Sequence, residues 1–88
     1  MVNRRKLFKK LTLGSRDLRF DEFTALLEGF GFVLRPISGS HHIYRHPDVP
    51  RVFPVQPRSD GKAKSYQIDQ FLRLIEQYNL SLSGKDEE

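Results

Sequence analysis

The sequence predicts a two-layer α+β sandwich in the order α-α-β-β-β-α, with a three-stranded antiparallel sheet covered by helices on one face. Three observations carry this. Phe23, Leu26, Leu27 and Phe30, and later Ile68, Phe71, Leu72 and Ile75, recur at helical spacing and form two apolar stripes. Between them lie three short runs rich in strand-forming residues, bounded by glycine, proline and serine. The connections between these runs are too short for a crossover, so the strands form an antiparallel meander. Such a sheet needs one face covered, and the two stripes are there to cover it.

The elements follow in order. Asn3 to Leu13 reads as a short amphipathic helix with Leu7, Phe8 and Leu11 on one side, ended by Gly14-Ser15. Asp21 is the expected N-cap of the second helix, and Gly31 its left-handed terminator. Phe32 to Arg35 reads as the first strand, Ser38-Gly39-Ser40 as a turn, and His41 to His46 as the second strand, broken by Pro47 and Pro50. Arg51 to Gln56 reads as a short edge strand, because Pro54 and Pro57 cannot donate to a ladder. Residues 57–64 form a polar loop. The last helix runs from Ser65 to Asn79, with Asp69 and Arg73 spaced for an i,i+4 ion pair. The expected division is a basic extension over 1–16, a folded domain over 17–82 and a flexible tail over 83–88.

With 88 residues, this is one domain with a modest core, suited to a shallow site on an open surface. The absence of cysteine excludes a disulfide framework and a thiolate zinc site, and fits a cytoplasmic protein. No apolar run approaches the ~20 residues of a membrane span, and no apolar stretch follows the basic start as a secretory signal requires. Net charge is +4, unevenly spread. Residues 1–19 carry seven basic groups against Asp17 alone, and residues 29–68 carry six against Asp48 and Asp60. Two basic regions of this kind point to a phosphate-bearing partner.

All three histidines fall in the run Gly39-Ser40-His41-His42-Ile43-Tyr44-Arg45-His46. Imidazole exchanges a proton near neutral pH, which phosphodiester cleavage requires. Strand alternation puts His42, Tyr44 and His46 on one face and His41, Ile43 and Arg45 on the other. A charged Arg45 is costly under the helices, whereas Tyr44 can be buried with its hydroxyl partnered. His41 therefore faces out beside Arg45 as the favoured catalytic group, and His42 leans toward the helices. A metal site is disfavoured: adjacent strand residues point apart, His42 and His46 are about 13 Å apart along a strand, and no nearby carboxylate or thiol completes a ligand set. No cofactor is expected.

The run from Gly39 to Pro47, preceded by Leu26-Leu27-Glu28-Gly29-Phe30-Gly31-Phe32, resembles the HicA toxin family, the YcfA-like mRNA interferases. Gly61-Lys62-Ala63-Lys64-Ser65-Tyr66-Gln67-Ile68-Asp69-Gln70-Phe71-Leu72 is similar to the closing helix of one branch. The resemblance covers roughly 19–80. It implies a fold like that of a double-stranded-RNA-binding domain. It also implies a metal-independent endoribonuclease that cleaves mRNA and blocks translation, the toxin of a type II toxin–antitoxin system paired with a HicB-type antitoxin. The family's catalytic histidine maps to His41. Some relatives carry it one place later, which keeps His42 as the alternative. Phe53-Pro54-Val55-Gln56 stands where many members have Val-Pro-x-His, and Ser65-Tyr66 where they often have Gly-Thr.

The expected mechanism has His41 as general base on a ribose 2′-hydroxyl, with water or Tyr44 protonating the leaving group. Ser40, Arg45, Lys62 and Lys64 are the candidate RNA-binding residues, the cations offsetting charge on the phosphorane. A non-catalytic RNA-binding module and a protein-interaction domain are the alternatives.

Overall fold

The side-chain oxygen of Asn3 accepts the Lys6 N–H at 3.1 Å and so opens the first helix, α1 (Arg4–Thr12). The computed structural model describes residues 3–36 and 42–82 of the chain; the turn expected at Ser38–Ser40 lies outside them. Leu11 is buried, and Leu7 and Phe8 are half-buried. Phe8 meets Phe30 edge-on, with ring centroids 5.0 Å apart. The Arg4 guanidinium donates to the carbonyl oxygen of Ala25, and its aliphatic stem lies across Gly29, where a β-carbon would collide with it. The basic extension thus packs onto the second helix.

That helix, α2 (Phe20–Gly29), is capped by Arg19 and not by Asp21 as the sequence suggested. The reason lies in a distant segment. Phe20 N–H donates to the Gly61 oxygen (3.0 Å) and Ala63 N–H to the Leu18 oxygen (2.9 Å), so residues 18–19 are pinned as extended chain and the helix starts directly after them, at Phe20. Glu22 then accepts the Arg19 N–H at 3.0 Å, and Asp21 instead holds the Arg19 guanidinium. At the other end Gly31 adopts φ +96°, with its N–H on the Glu28 oxygen and the Phe32 N–H on the Leu27 oxygen, both at 3.0 Å. These two bonds make a Schellman motif.

Because the Phe32 N–H is used there, pairing starts one residue later than the sequence suggested, in β1 (Val33–Pro36). β2 (His42–Arg45) and β3 (Phe53–Val55) complete an antiparallel sheet of order β1-β2-β3. The register pairs Leu34 with Tyr44, Arg35 with Ile43, and Tyr44 with Phe53. Tyr44, Phe53 and Val55 are buried on the helix side. By the same register, Val33, Arg35, Ile43, Arg45 and Pro54 share the opposite face, which no helix among the described residues covers.

The last helix, α3 (Ser65–Tyr78), ends at Asn79 in the left-handed region. Phe71 is its core anchor, meeting Phe23 and Phe30 edge-on at 5.6 and 5.5 Å. Gln67 is buried, and its side-chain oxygen accepts the Gln56 N–H at 3.3 Å, tying α3 to the end of β3. Asp69 does not pair with Arg73. It accepts from Arg16 at 2.8 Å, and the Arg16 guanidinium also donates to the carbonyls of Leu11 and Ser15. An arginine already held by backbone oxygens outcompetes an exposed i,i+4 partner, whose pairing contributes only a few tenths of a kcal/mol.

Candidate functional site

His42 and His46 occupy different environments, set by the sheet register and the end of α2. Ser40 and His41 lie outside the described residues. His42 opens β2 and is half-buried on the helix side, its ring edge-on to Phe20 of α2 at 5.1 Å. His46 lies just past the strand, at the opposite end. Its Nε2 is 3.0 Å from the Phe30 carbonyl oxygen, and its Nδ1 accepts the Asp48 N–H at 3.0 Å. An accepting Nδ1 leaves Nε2 as the protonated nitrogen. The ring packs on Phe32 at 5.1 Å. Both nitrogens of His46 are therefore engaged in joining the end of α2 to the turn after β2.

The end of the sheet that carries His42 is assembled from four segments. In the register His42 stands beside Pro36 on one side and Val55 on the other. Phe20 brings the N-terminus of α2 against it. An isolated bridge between Arg19 and Lys62 attaches the 57–64 loop to that same helix end. The loop is closed by the Arg58 N–H on the Lys62 oxygen at 2.8 Å, with Gly61 at φ +85°. Lys64 follows as the residue preceding α3. The loop's cations thus sit at the His42 end of the sheet.

Not all of them are equally available. Lys62 Nζ is 2.7 Å from Asp17, Arg58 is 2.8 Å from Asp60, and Arg19 is 3.0 Å from Asp21. The hydrogen bond and charge of Lys62 hold the Asp17 carboxyl below the usual carboxylate range, with a further contribution from Lys10; Asp17 in turn raises the Lys62 ammonium. These pairs are solvent-exposed, and exposed pairs of this kind contribute little to stability. In contrast, no carboxylate among the described residues pairs with Arg35, Arg45 or Lys64.

Arg35 is the residue that sequence reasoning missed. It is exposed and stands directly across from Ile43 on the helix-free face. Arg45 shares that face but lies further along β2, opposite Val33. In the register Arg35 and Arg45 stand diagonally across the β1–β2 pair, each opposite an apolar residue. The signal was present in the sequence as an outward Arg35. Only the register shows that it stands nearer than Arg45 to the start of β2.

Tyr44 is buried at 1% exposure on the helix side. Desolvation raises its phenol above the ordinary value of 10.0, the Glu28 charge adds to this, and its hydrogen bond with Thr24 opposes it. A hydroxyl in that position does not reach the helix-free face, so Tyr44 is excluded as the proton donor to a leaving group there. Among the described residues, no group of three or more His, Asp or Glu side chains could hold a metal ion. No helix among them is long and apolar enough to cross a membrane. Two surface grooves flank the C-terminal half of α3, one against β3 and one against α1, away from the His42 end.

Neither a curated protein nor a solved structure matches this chain. The family model described as the HicA toxin of bacterial toxin–antitoxin matches residues 20–77, from the first residue of α2 to within one residue of the end of α3. That span holds the whole sheet, the glycine-terminated helix leading into it and the histidine run, and on it the chain belongs to the HicA toxin family of bacterial toxin–antitoxin systems.

Proposed function

We propose that this protein is a metal-independent mRNA endoribonuclease, the translation-inhibiting toxin of a type II pair, acting in the cytoplasm and restrained by a HicB-type antitoxin. His41 is the general base, with His42 as the alternative. The observation that carries this reading is the engagement of the other imidazoles. His46 has both nitrogens committed to Asp48 and Phe30, and His42 is half-buried against Phe20. Within the family's histidine motif, that leaves His41.

In this reading His41 takes the proton of a ribose 2′-hydroxyl, and that oxygen attacks the adjacent phosphorus. The P–O5′ bond breaks, leaving a 2′,3′-cyclic phosphate and a 5′-hydroxyl protonated by water. Arg35, Arg45 and Lys64 offset the charge gathering on the phosphorane. The nucleophile comes from the substrate, so the chemistry needs no metal-activated water. Ser40 and Lys62 belong to the same RNA-binding set. Lys62 acts there after exchanging Asp17 for phosphate.

The test is RNA cleavage in EDTA by wild type, His41→Ala, His42→Ala and His46→Ala at matched folded fractions. Loss confined to His41→Ala is expected. Loss confined to His42→Ala moves the base one residue. Intact RNA with wild type, despite salt-sensitive binding, makes the chain a non-catalytic RNA-binding module. Tight protein binding without RNA affinity makes it an interaction domain.

A further inference from the structure

Helix α1 lies outside the span matched by the family, and its two faces do different things. Arg4, Leu7, Phe8 and Leu11 face the body of the protein. Lys6 and Lys9, both exposed, and the half-buried Lys10 cover the other side. The helix contains no acidic residue. Lys6 sits in the first turn, where the helix dipole disfavours a cation. Lys6 and Lys10 stand at i,i+4, a like-charge pair that destabilises a helix. Lys9 and Lys10 lie in the last turn, where the dipole favours cations, so it is Lys6 and its pairing with Lys10 that packing does not explain. A local choice that opposes stability without a structural return marks a functional surface.

The position of the face names its partner. Lys10 is close enough to Asp17 to act on its carboxyl, and Asp17 holds Lys62 at 2.7 Å. Lys62 bridges to Arg19 at the His42 end of the sheet. The basic side of α1 therefore continues, through Asp17, into the cations beside the candidate site. A polyanion longer than the site itself fits such a track.

We propose that the outer face of α1, through Lys6, Lys9 and Lys10, is a second RNA-contact surface that holds the phosphodiester backbone flanking the cleavage position. This rests on the RNA reading given above. The contact is electrostatic and sequence-independent. It lengthens the stretch of RNA that the protein grips without touching the reacting atoms.

The experiment measures binding of a short 2′-O-methylated RNA, which lacks the attacking hydroxyl, to the full chain across about 50–200 mM salt. Wild type is compared with the triple variant Lys6→Gln, Lys9→Gln, Lys10→Gln. Three lost phosphate contacts are expected to lower the salt slope by about 2, at about 0.7 per contact on a single strand. Binding is compared at matched folded fractions, because the substitutions also remove the attraction of Lys10 for Asp17. A triple variant with unchanged slope and affinity overturns the α1 surface and leaves the RNA reading intact. A wild type with no RNA affinity overturns both. A wild type that binds polyglutamate and not the RNA gives the face to an acidic protein segment, which also overturns the proposal.

Discussion

The imidazole of His46 donates from Nε2 to the carbonyl oxygen of Phe30 across 3.0 Å. With Nδ1 accepting the Asp48 N–H, it links the end of α2 to the turn after β2. His46→Ala leaves a backbone acceptor and a donor without their partner, an expected cost of about 1–3 kcal/mol. Urea unfolding measures it. Cleavage per folded molecule stays at the wild-type level, and its loss without a change in stability would make His46 part of the site after all.

Gly31 is constrained twice at the same junction. Its φ is +96°, and a β-carbon would stand 3.0 Å from the His46 Nε2. Gly31→Ala is expected to destabilise by at least the ~1–2 kcal/mol of a left-handed non-glycine residue. Adding His46→Ala relieves the contact but not the backbone strain, so the double variant stays less stable than His46→Ala alone. A thermal-melting cycle of the four proteins decides this.

Leu11 is 1% exposed although it precedes the family-matched span. Leu11→Ala is expected to cost about 2–5 kcal/mol, as for other buried leucines. A change within ~0.5 kcal/mol in chemical denaturation would show that α1 is a loosely attached arm.

Tyr44 gives stability a dependence on alkaline pH. Its phenol is raised above the ordinary 10.0 by burial. Below that value both the folded and the unfolded protein carry the proton, and the phenol contributes no pH dependence. Above it the unfolded chain ionises first, so stability falls as pH rises toward the folded value. Denaturation midpoints of wild type should drop more steeply above about pH 10 than those of Tyr44→Phe. Parallel profiles would mean that Tyr44 ionises freely in the fold.

Arg35 is expected to matter for RNA and not for folding. Arg35→Gln removes an exposed cation across from Ile43. The melting temperature should stay unchanged, while the salt slope of RNA binding falls by about 0.7. Equal binding by the variant would remove Arg35 from the site.

The order of elements, the outward Arg45, the buried Tyr44, the short proline-bearing edge strand and the left-handed Gly31 were all legible in the sequence. Each follows from a local rule: apolar period, strand alternation, the missing proline N–H, or the backbone freedom of glycine. The family was legible too, because its motif is contiguous. What the sequence left undecided depended on partners far along the chain. Arg19 replaces Asp21 as the cap because residues 61–63 hold residues 18–19 extended. Arg16 takes Asp69 from Arg73 because backbone oxygens of Leu11 and Ser15 already orient it. His46 becomes a structural link, and Arg35 a neighbour of Ile43, through the helix end and the register. Local periodicity determines which residues turn inward. Which inward or outward groups meet is decided only when the layers close, since those contacts join segments that no spacing rule connects.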